Sequence, residues 1–181
     1  MGMHFPSPGV AAGARATMLT AEYQTIVIEW CGPVSLETIS DWGPGGLYMF
    51  TGKLKGQQYD RIQYIGITEG RYQDRFYRHH KIDLITRDRK CWVGKVMHPH
   101  RLRREWLERA ESILIYLVDP KLNSRKKVYL PRPTAIISHW FTQEGEPRYN
   151  RHGIFKKFPD VISWDGDHWR EGNLRVWDTV R

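Results

Sequence analysis

The order of elements along the sequence predicts an α+β protein built mainly from one domain. Three observations lead to this class: two strand-like runs that form a hairpin, two stretches of helical composition after it, and further strand-like runs on either side. The chain has 181 residues, which is close to the usual length of one domain. We therefore predict a single domain over residues 21–181, preceded by a flexible arm rich in Gly, Ala and Pro over residues 1–20.

The first half of this domain is predicted to begin with a strand. Tyr23–Trp30 is β-branched and aromatic, and a short helix led by a serine follows over Ser35–Trp42. Leu47–Thr51 and Arg61–Thr68 read as the two strands of a hairpin with a long loop. Arg71–Ile85 has helical composition, with apolar residues able to face a core and basic residues outside.

The second half is predicted to contain the firmest helix and several short strands. Leu102–Leu117 places apolar residues at spacings of three and four, which is one helical stripe. Strands are expected at Trp92–Met97, Lys127–Leu130, Ala135–Phe141, Val161–Trp164 and Leu174–Trp177, the last two as a terminal hairpin.

The charge of the chain favours a polyanionic partner. Lys and Arg number 28 against 20 Asp and Glu, which gives a net charge of +8. Basic residues concentrate between Arg71 and Arg104, with aromatic residues among them, a mixture suited to a phosphate backbone. No apolar run is long enough to cross a bilayer and the N-terminus lacks the pattern of a secretory signal, so we expect a cytoplasmic protein with no membrane partner.

Five short motifs follow one another in the middle of the chain. Gly46-Leu47-Tyr48 lies on the first hairpin strand and Tyr64-Ile65-Gly66 on the second. The next motifs are Arg75-x-x-x-His79 on the predicted helix after the hairpin, Glu111 on the following helix, and Asn123 beyond its end.

In these motifs the sequence resembles the GIY-YIG nuclease family, over about residues 46–123. The resemblance implies a core with a small central antiparallel sheet flanked by helices, extended by an N-terminal strand and helix and by a β-rich segment over residues 124–181. It also implies a phosphodiester hydrolase that uses Mg²⁺ or Mn²⁺, with Glu111 as the metal ligand. The catalytic residues it implies are Tyr48, Tyr64, Arg75, His79, Glu111 and Asn123. Leu47 stands where the family usually has Ile, and the hairpin loop is longer than is typical.

The same residues suit phosphodiester chemistry when they are considered by themselves. Arg75 and His79 are one turn apart on the predicted helix, so both can address one anionic group. Glu111 borders the apolar stripe, where one carboxylate with waters and a substrate phosphate makes an ordinary Mg²⁺ site. Tyr48 is expected to exchange a proton with help from His79 if surrounding cations lower its pKa.

Each residue also has an ordinary structural explanation. Tyrosines on strands usually serve packing, a basic residue on a helix is usually solvated, and Glu111 would suit a surface ion pair. Asn123 after a proline would suit a turn. The order of all five motifs favours the nuclease interpretation over these separate explanations.

Chain length favours one kind of nuclease. The segments outside the core are too short for a large recognition domain, so we predict a sequence-specific restriction-type enzyme that cuts double-stranded DNA as a homodimer. A phage, mobile-element or repair nuclease specific for DNA structure is one alternative, and an inactive nucleic-acid-binding module is another. The expected DNA-binding residues are Arg71, Arg78, Lys81, Lys95, Arg148 and Arg170.

Overall fold

A mixed seven-stranded sheet dominates the computed structural model, which describes residues 23–77, 79–101, 103–148 and 158–174. Its order is β3-β2-β4-β1-β5-β6-β7, and only the β1–β5 pair is parallel among these strands. The strands are β1 (Gln24–Val34), β2 (Gly46–Leu54), β3 (Arg61–Thr68), β4 (Ile85–His98), β5 (Thr134–Phe141), β6 (Val161–Trp164) and β7 (Trp169–Gly172). The α-helices in this part of the chain are α1 (Tyr72–Tyr77) and α2 (Arg104–Val118), and neither is long and apolar enough to cross a membrane.

The predicted fold class, a small antiparallel sheet flanked by helices, is wrong. Strands account for 42% of the described residues and helices for 17%, and the sheet curls into a half-barrel. The expected β-rich extension instead joins the core strands in one sheet, because β5 pairs with β1 from Gln24–Thr134 to Cys31–Phe141. A pairing between segments so far apart leaves no local pattern in the sequence.

The helix predicted over Arg71–Ile85 is also wrong beyond its first turns. It ends at Tyr77, and the chain continues as successive turns in which the backbone N–H of His79 donates to the carbonyl of Phe76 (3.0 Å) and that of Ile82 to the carbonyl of His79 (2.9 Å). The apolar residues Phe76 and Ile82 are six positions apart, a spacing that keeps no single helical face. His79 therefore lies beyond the helix that carries Arg75.

Strand predictions succeed where the strand is buried and fail elsewhere. Arg61–Thr68 and Val161–Trp164 are confirmed with the predicted bounds. Lys127–Leu130 is not a strand, and Val128 and Tyr129 in it are 83% and 85% exposed, because β-branched and aromatic residues need a neighbouring strand to pair with.

Other element bounds differ from the prediction. β4 begins at Ile85 rather than Trp92 because its first residues form an exposed, highly charged ribbon with the end of β2. The helix expected over Ser35–Trp42 is a single 3₁₀ turn, Ile39–Asp41. β7 (Trp169–Gly172) was not predicted. Of the strand expected at Leu174–Trp177, residues 175–177 lie outside the described part of the chain, as does the arm over residues 1–20.

Strand β2 is buried on both faces and divides the interior into two clusters. Leu47 and Met49 point to the face covered by α2, where the main core lies. Tyr48 and Phe50 point to the opposite face, where α1 and the turns after it cover a second, aromatic core. The main core contains Ile26, Ile28, Trp30, Leu47, Met49, Ile65, Trp92, Leu107, Ala110, Ile113, Leu114, Ile136 and Trp140, among others. The second core contains Val34, Ile39, Tyr48, Phe50, Tyr72, Phe76, Ile82, Ile85, Cys91 and Val93.

The outer edge of β3 is paired with the segment that follows α2. The backbone N–H of Leu122 donates to the carbonyl of Gln63 (2.8 Å). The side chain of Asn123 accepts a hydrogen bond from the N–H of Ile65 (2.9 Å) and donates one to its carbonyl (2.8 Å). These bonds satisfy backbone groups that an edge strand would otherwise leave open.

Candidate functional site

A pocket of about 810 Å³ opens at the β3 edge, where the two faces of the sheet meet. One wall comes from α2 on the main-core side, and the other comes from α1 and the turns after it on the second-core side. Five of the six predicted catalytic residues line it, namely Tyr64, Arg75, His79, Glu111 and Asn123. The sixth, Tyr48, is fully buried and reaches the site through its hydroxyl contact with Arg75. The structure thus brings together residues that are far apart in the sequence.

The two tyrosines form a stacked pair across neighbouring strands. The ring centroids of Tyr48 and Tyr64 are 5.9 Å apart. Tyr48 lies opposite Gly66 on β3, and a Cβ at Gly66 would lie 2.6 Å from the phenol carbon and oxygen of Tyr48. A glycine is needed here because any side chain would push Tyr48 out of its place.

Gly46, the glycine of the first motif, leaves room for the hydroxyl of a different tyrosine, Tyr72. A Cβ at Gly46 would lie 2.1 Å from the hydroxyl oxygen of Tyr72, and the φ of Gly46 is +156°. That hydroxyl donates toward the carbonyl of Leu47 (3.2 Å). Tyr72 was not among the predicted site residues, yet it fixes α1 against β2 and so places Arg75.

Arg75 and Tyr48 meet directly. The Nε–H of Arg75 donates to the hydroxyl oxygen of Tyr48 (2.9 Å). Burial raises the pKa of Tyr48 well above its usual value, the nearby Tyr64 raises it further, and Arg75 offsets only part of this rise. Tyr48 was expected to exchange a proton only if surrounding cations lower this pKa; that condition is not met, and Tyr48 is a neutral phenol near pH 7. Arg75 keeps its charge at the pocket surface with its orientation fixed by the phenol.

His79 is a nearly buried imidazole with unused polar atoms. It is 8% exposed, and its ring stacks edge-on against Tyr64 at 4.6 Å between centroids. Burial, together with the nearby Arg75, lowers the pKa of His79 to about 4. Neither ring nitrogen has a hydrogen-bond partner in the described structure. The ring is thus neutral at pH 7 and carries one nitrogen able to accept a proton.

Glu111 faces the pocket from α2 and forms an ion pair with Lys126. It lies on the helix face that also presents Arg104, Glu108 and Ile115 to the pocket, while Leu107, Ala110, Ile113 and Leu114 are buried. Its carboxylate Oε2 is 2.5 Å from the Nζ of Lys126, and its side chain is 13% exposed.

This carboxylate suits a hard divalent cation in its chemistry. Within the described residues no group of three or more His, Cys, Asp or Glu side chains converges. Mg²⁺ commonly binds through one or two carboxylates while keeping waters and taking substrate phosphate oxygens, so Glu111 at the wall of an open pocket fits that mode. The ammonium of Lys126 already contacts this carboxylate.

Asn123 lines the pocket mainly as a positioning residue. Both polar atoms of its amide are used by the backbone of Ile65, one position after Tyr64. The neighbouring Lys81 donates to the carbonyl of Leu122 and lies over the Tyr64 ring, 5.2 Å from its centroid. These contacts hold β3 and Tyr64 against the end of the α2 segment.

The expected DNA-binding residues are dispersed. Lys81 lines the pocket, whereas Arg71 and Lys95 are exposed outside it. Arg148 lies over the Trp92 ring (5.7 Å). Arg170 lies on β7, at the opposite edge of the sheet, and pairs with Asp165 in the turn before that strand. Arg78 lies outside the described residues.

Three cations of the pocket, Arg104, Arg125 and Lys126, were not among the predicted site residues. Arg125 and Lys126 follow the predicted asparagine and line the pocket. No spacing rule connects Lys126 with Glu111, because the two are joined only by the return of the chain after α2.

Comparison of the chain with protein-family models, with curated proteins and with solved structures gave no match.

Proposed function

We propose that this pocket hydrolyses phosphodiester bonds in double-stranded DNA in a reaction that depends on Mg²⁺ or Mn²⁺. The observation that carries the proposal is the convergence of Arg75, His79 and Glu111 on one pocket beside the buried Tyr48. A guanidinium, a neutral imidazole and a carboxylate on facing walls can serve phosphodiester hydrolysis as the phosphate clamp, the general base and the metal ligand.

The charge of the pocket supports a phosphate substrate. Five cationic side chains line it against three carboxylates, and two of those carboxylates, Glu69 and Glu108, are already paired with Arg104. The cations left without such a pair include Arg75 and Lys81. An anionic backbone entering the pocket would therefore meet a surplus of positive charge.

We assign Arg75 the role of binding the phosphate that is cleaved. Its Nε–H is bonded to Tyr48, and its side chain lines the pocket. Negative charge grows on the non-bridging oxygens as water attacks phosphorus, and a fixed cation stabilises that state more than the ground state.

We assign His79 the role of general base, which accepts the proton of the attacking water. A ring with a pKa near 4 is a weak base by itself, but a phosphate anion beside it favours the imidazolium and raises that pKa. As the new P–O bond forms and the bond to the leaving oxygen breaks, the proton from water moves to His79, and the leaving oxygen takes up a proton from solvent. Tyr48, neutral and fixed, holds Arg75 while this occurs.

Glu111 is assigned the metal ion, which when bound would supply a Lewis acid for the phosphate oxygens. Two chains would be needed to cut both strands, since the described part of each chain carries one such pocket. We propose a restriction-type enzyme that produces discrete fragments from long duplex DNA.

The decisive experiment is Glu111→Gln in a plasmid cleavage assay with Mg²⁺ or Mn²⁺. The amide keeps the size of the side chain but lacks the charge that a divalent cation requires. We expect cleavage to fall at least a hundredfold while DNA binding, measured by gel shift, changes little.

Glu105→Gln is the matched control, because Glu105 lies on the same helix and pairs with Arg109 away from the pocket. It should cut like the unaltered protein. Cutting of branched DNA alone would point to a structure-specific nuclease, and a gel shift without cleavage by the unaltered protein would point to a binding module. Undiminished cleavage by Glu111→Gln would refute the metal assignment.

A further inference from the structure

Lys126 makes an unusual contact for a surface lysine. Its Nζ lies 2.5 Å from Oε2 of Glu111 and 3.4 Å from the carbonyl oxygen of Glu108. Both Lys126 and Glu111 line the pocket. The ammonium therefore contacts the carboxylate of Glu111, which is the metal ligand in the proposed function.

The backbone at Lys126 is held in a costly conformation. Its φ is +64°, in the left-handed region that a side chain with a Cβ occupies at a cost of about 1–2 kcal/mol. Such strain persists only where surrounding contacts fix it. Here the strained backbone carries the lysine to the pocket wall, where its ammonium meets Glu111.

The ion pair of Lys126 with Glu111 is less exposed to solvent than a neighbouring ion pair. Lys127 pairs with Asp119 (2.7 Å), but Asp119 is 63% exposed and its pair lies outside the pocket. Glu111 is only 13% exposed, so water competes less for its carboxylate. Coulomb attraction is correspondingly stronger in the less solvated pair.

We propose that Lys126 is the resident counter-ion of Glu111, which a divalent cation must displace in order to bind. The proposal rests on the proposed function for the identity of the metal ligand. Two cations cannot share one carboxylate without repulsion, so the lysine weakens metal binding and sets the concentration of Mg²⁺ or Mn²⁺ that the protein needs.

Direct measurement of Mn²⁺ binding tests this without any cleavage step. Free Mn²⁺ is followed by electron paramagnetic resonance during titration of the full chain in the absence of DNA. Lys126→Met keeps the length of the side chain and removes its charge, so Mn²⁺ should bind at least tenfold more tightly. Lys126→Arg keeps a cation and should bind as weakly as the unaltered protein.

Two controls make the result specific. Lys127→Met removes an equal charge one residue away and should leave Mn²⁺ affinity within about twofold of the unaltered protein. Adding Glu111→Gln to Lys126→Met should abolish the gain, because the carboxylate that binds the ion is gone. Circular dichroism of each variant establishes that it is folded.

The outcomes separate this inference from the proposed function. Equal Mn²⁺ affinity in folded Lys126→Met and unaltered protein would overturn the counter-ion role, even if plasmid is cut and Glu111→Gln abolishes cutting. Tighter Mn²⁺ binding that requires Glu111, in a protein that cuts no DNA, would uphold the counter-ion role and refute the nuclease.

Discussion

The two cores on either side of β2 differ in what their buried atoms do. The main core, under α2, is filled by aliphatic and tryptophan side chains such as Ile113 and Trp30, and the indole N–H of Trp30 donates to the hydroxyl of Ser138. The second core carries the hydroxyls of Tyr48 and Tyr72 and the imidazole of His79, whose nitrogens have no partner in the described structure.

This difference suggests a division of roles, in which one core mainly stabilises the fold and the other mainly supports the proposed catalysis. Apolar burial is the main source of folding free energy, so the main core sustains the fold. Unpaired polar atoms in a buried place cost free energy, and they persist where a function uses them. The second core is therefore the region whose composition the proposed chemistry explains.

The division of roles between the two cores is tested most directly by shortening one buried side chain in each core. Leu107→Ala removes a fully buried side chain from the main core and should cost about 2–5 kcal/mol of unfolding free energy, measured by urea titration. Tyr48→Phe in the second core removes only a hydroxyl, so unfolding should change by about 1 kcal/mol or less. Cleavage by Tyr48→Phe should nevertheless fall at least a hundredfold, because Arg75 loses its anchor.

Equal stability losses in the two variants, or full cleavage by Tyr48→Phe, would contradict the division between the cores. Leu107→Ala that remains folded at the assay temperature should keep most of its cleavage rate.

Asn123 offers a test at the border between the two faces. Asn123→Ala leaves the N–H and the carbonyl of Ile65 without partners at a nearly buried position, so unfolding should become easier by about 2–3 kcal/mol. Gln143→Ala is the matched control, because this exposed amide makes a single long bond to Thr38 (3.3 Å) and its loss should cost under about 0.5 kcal/mol. Similar losses in both would remove Asn123 from its positioning role.

His79 gives the smallest effect and a pH signature. Its pKa is about 4 in the folded chain and about 6.5 when unfolded, so the unfolded chain takes up the proton first as pH falls. The stability due to the neutral ring is fully present above pH 6.5 and is lost as pH falls toward 4, by on the order of 2 kcal/mol. His79→Phe should lose this part of the pH dependence while staying within about 1 kcal/mol at pH 7.5.

Urea titrations at pH 7.5 and pH 4.5 measure that difference, because carboxylate titrations contribute equally to both proteins. His139→Gln, at an exposed position on β5, should keep the pH dependence of the unaltered chain. A His79→Phe variant with unchanged pH dependence would mean that the ring takes up its proton alike in the folded and unfolded chains.

Sequence reasoning succeeded where local pattern and burial agree. The hairpin strands β2 and β3 and the helix α2 follow from alternation and a helical stripe, and the chain brings Tyr64, Arg75 and Glu111 to one pocket as their motif order suggested. The catalytic and metal-binding roles of these residues stay predictions.

Three of the failures share a physical cause, since each depends on contacts between distant segments. The β1–β5 pairing, the ion pair of Glu111 with Lys126, and the burial that raises the pKa of Tyr48 all arise only when the chain has folded. The exposed ribbon at the start of β4 was missed because hydrophobic pattern identifies buried strands and is silent about solvated ones.

The parallel pairing of β1 with β5 also fixes the order in which the protein can be completed during synthesis. β1 leaves the ribosome first, yet one of its two neighbours, β5, ends only at Phe141. Every residue that lines the pocket, from Tyr64 to Lys126, is made before that strand. The nascent chain therefore carries all of its pocket residues before the strand that completes the pairing of β1 has been made.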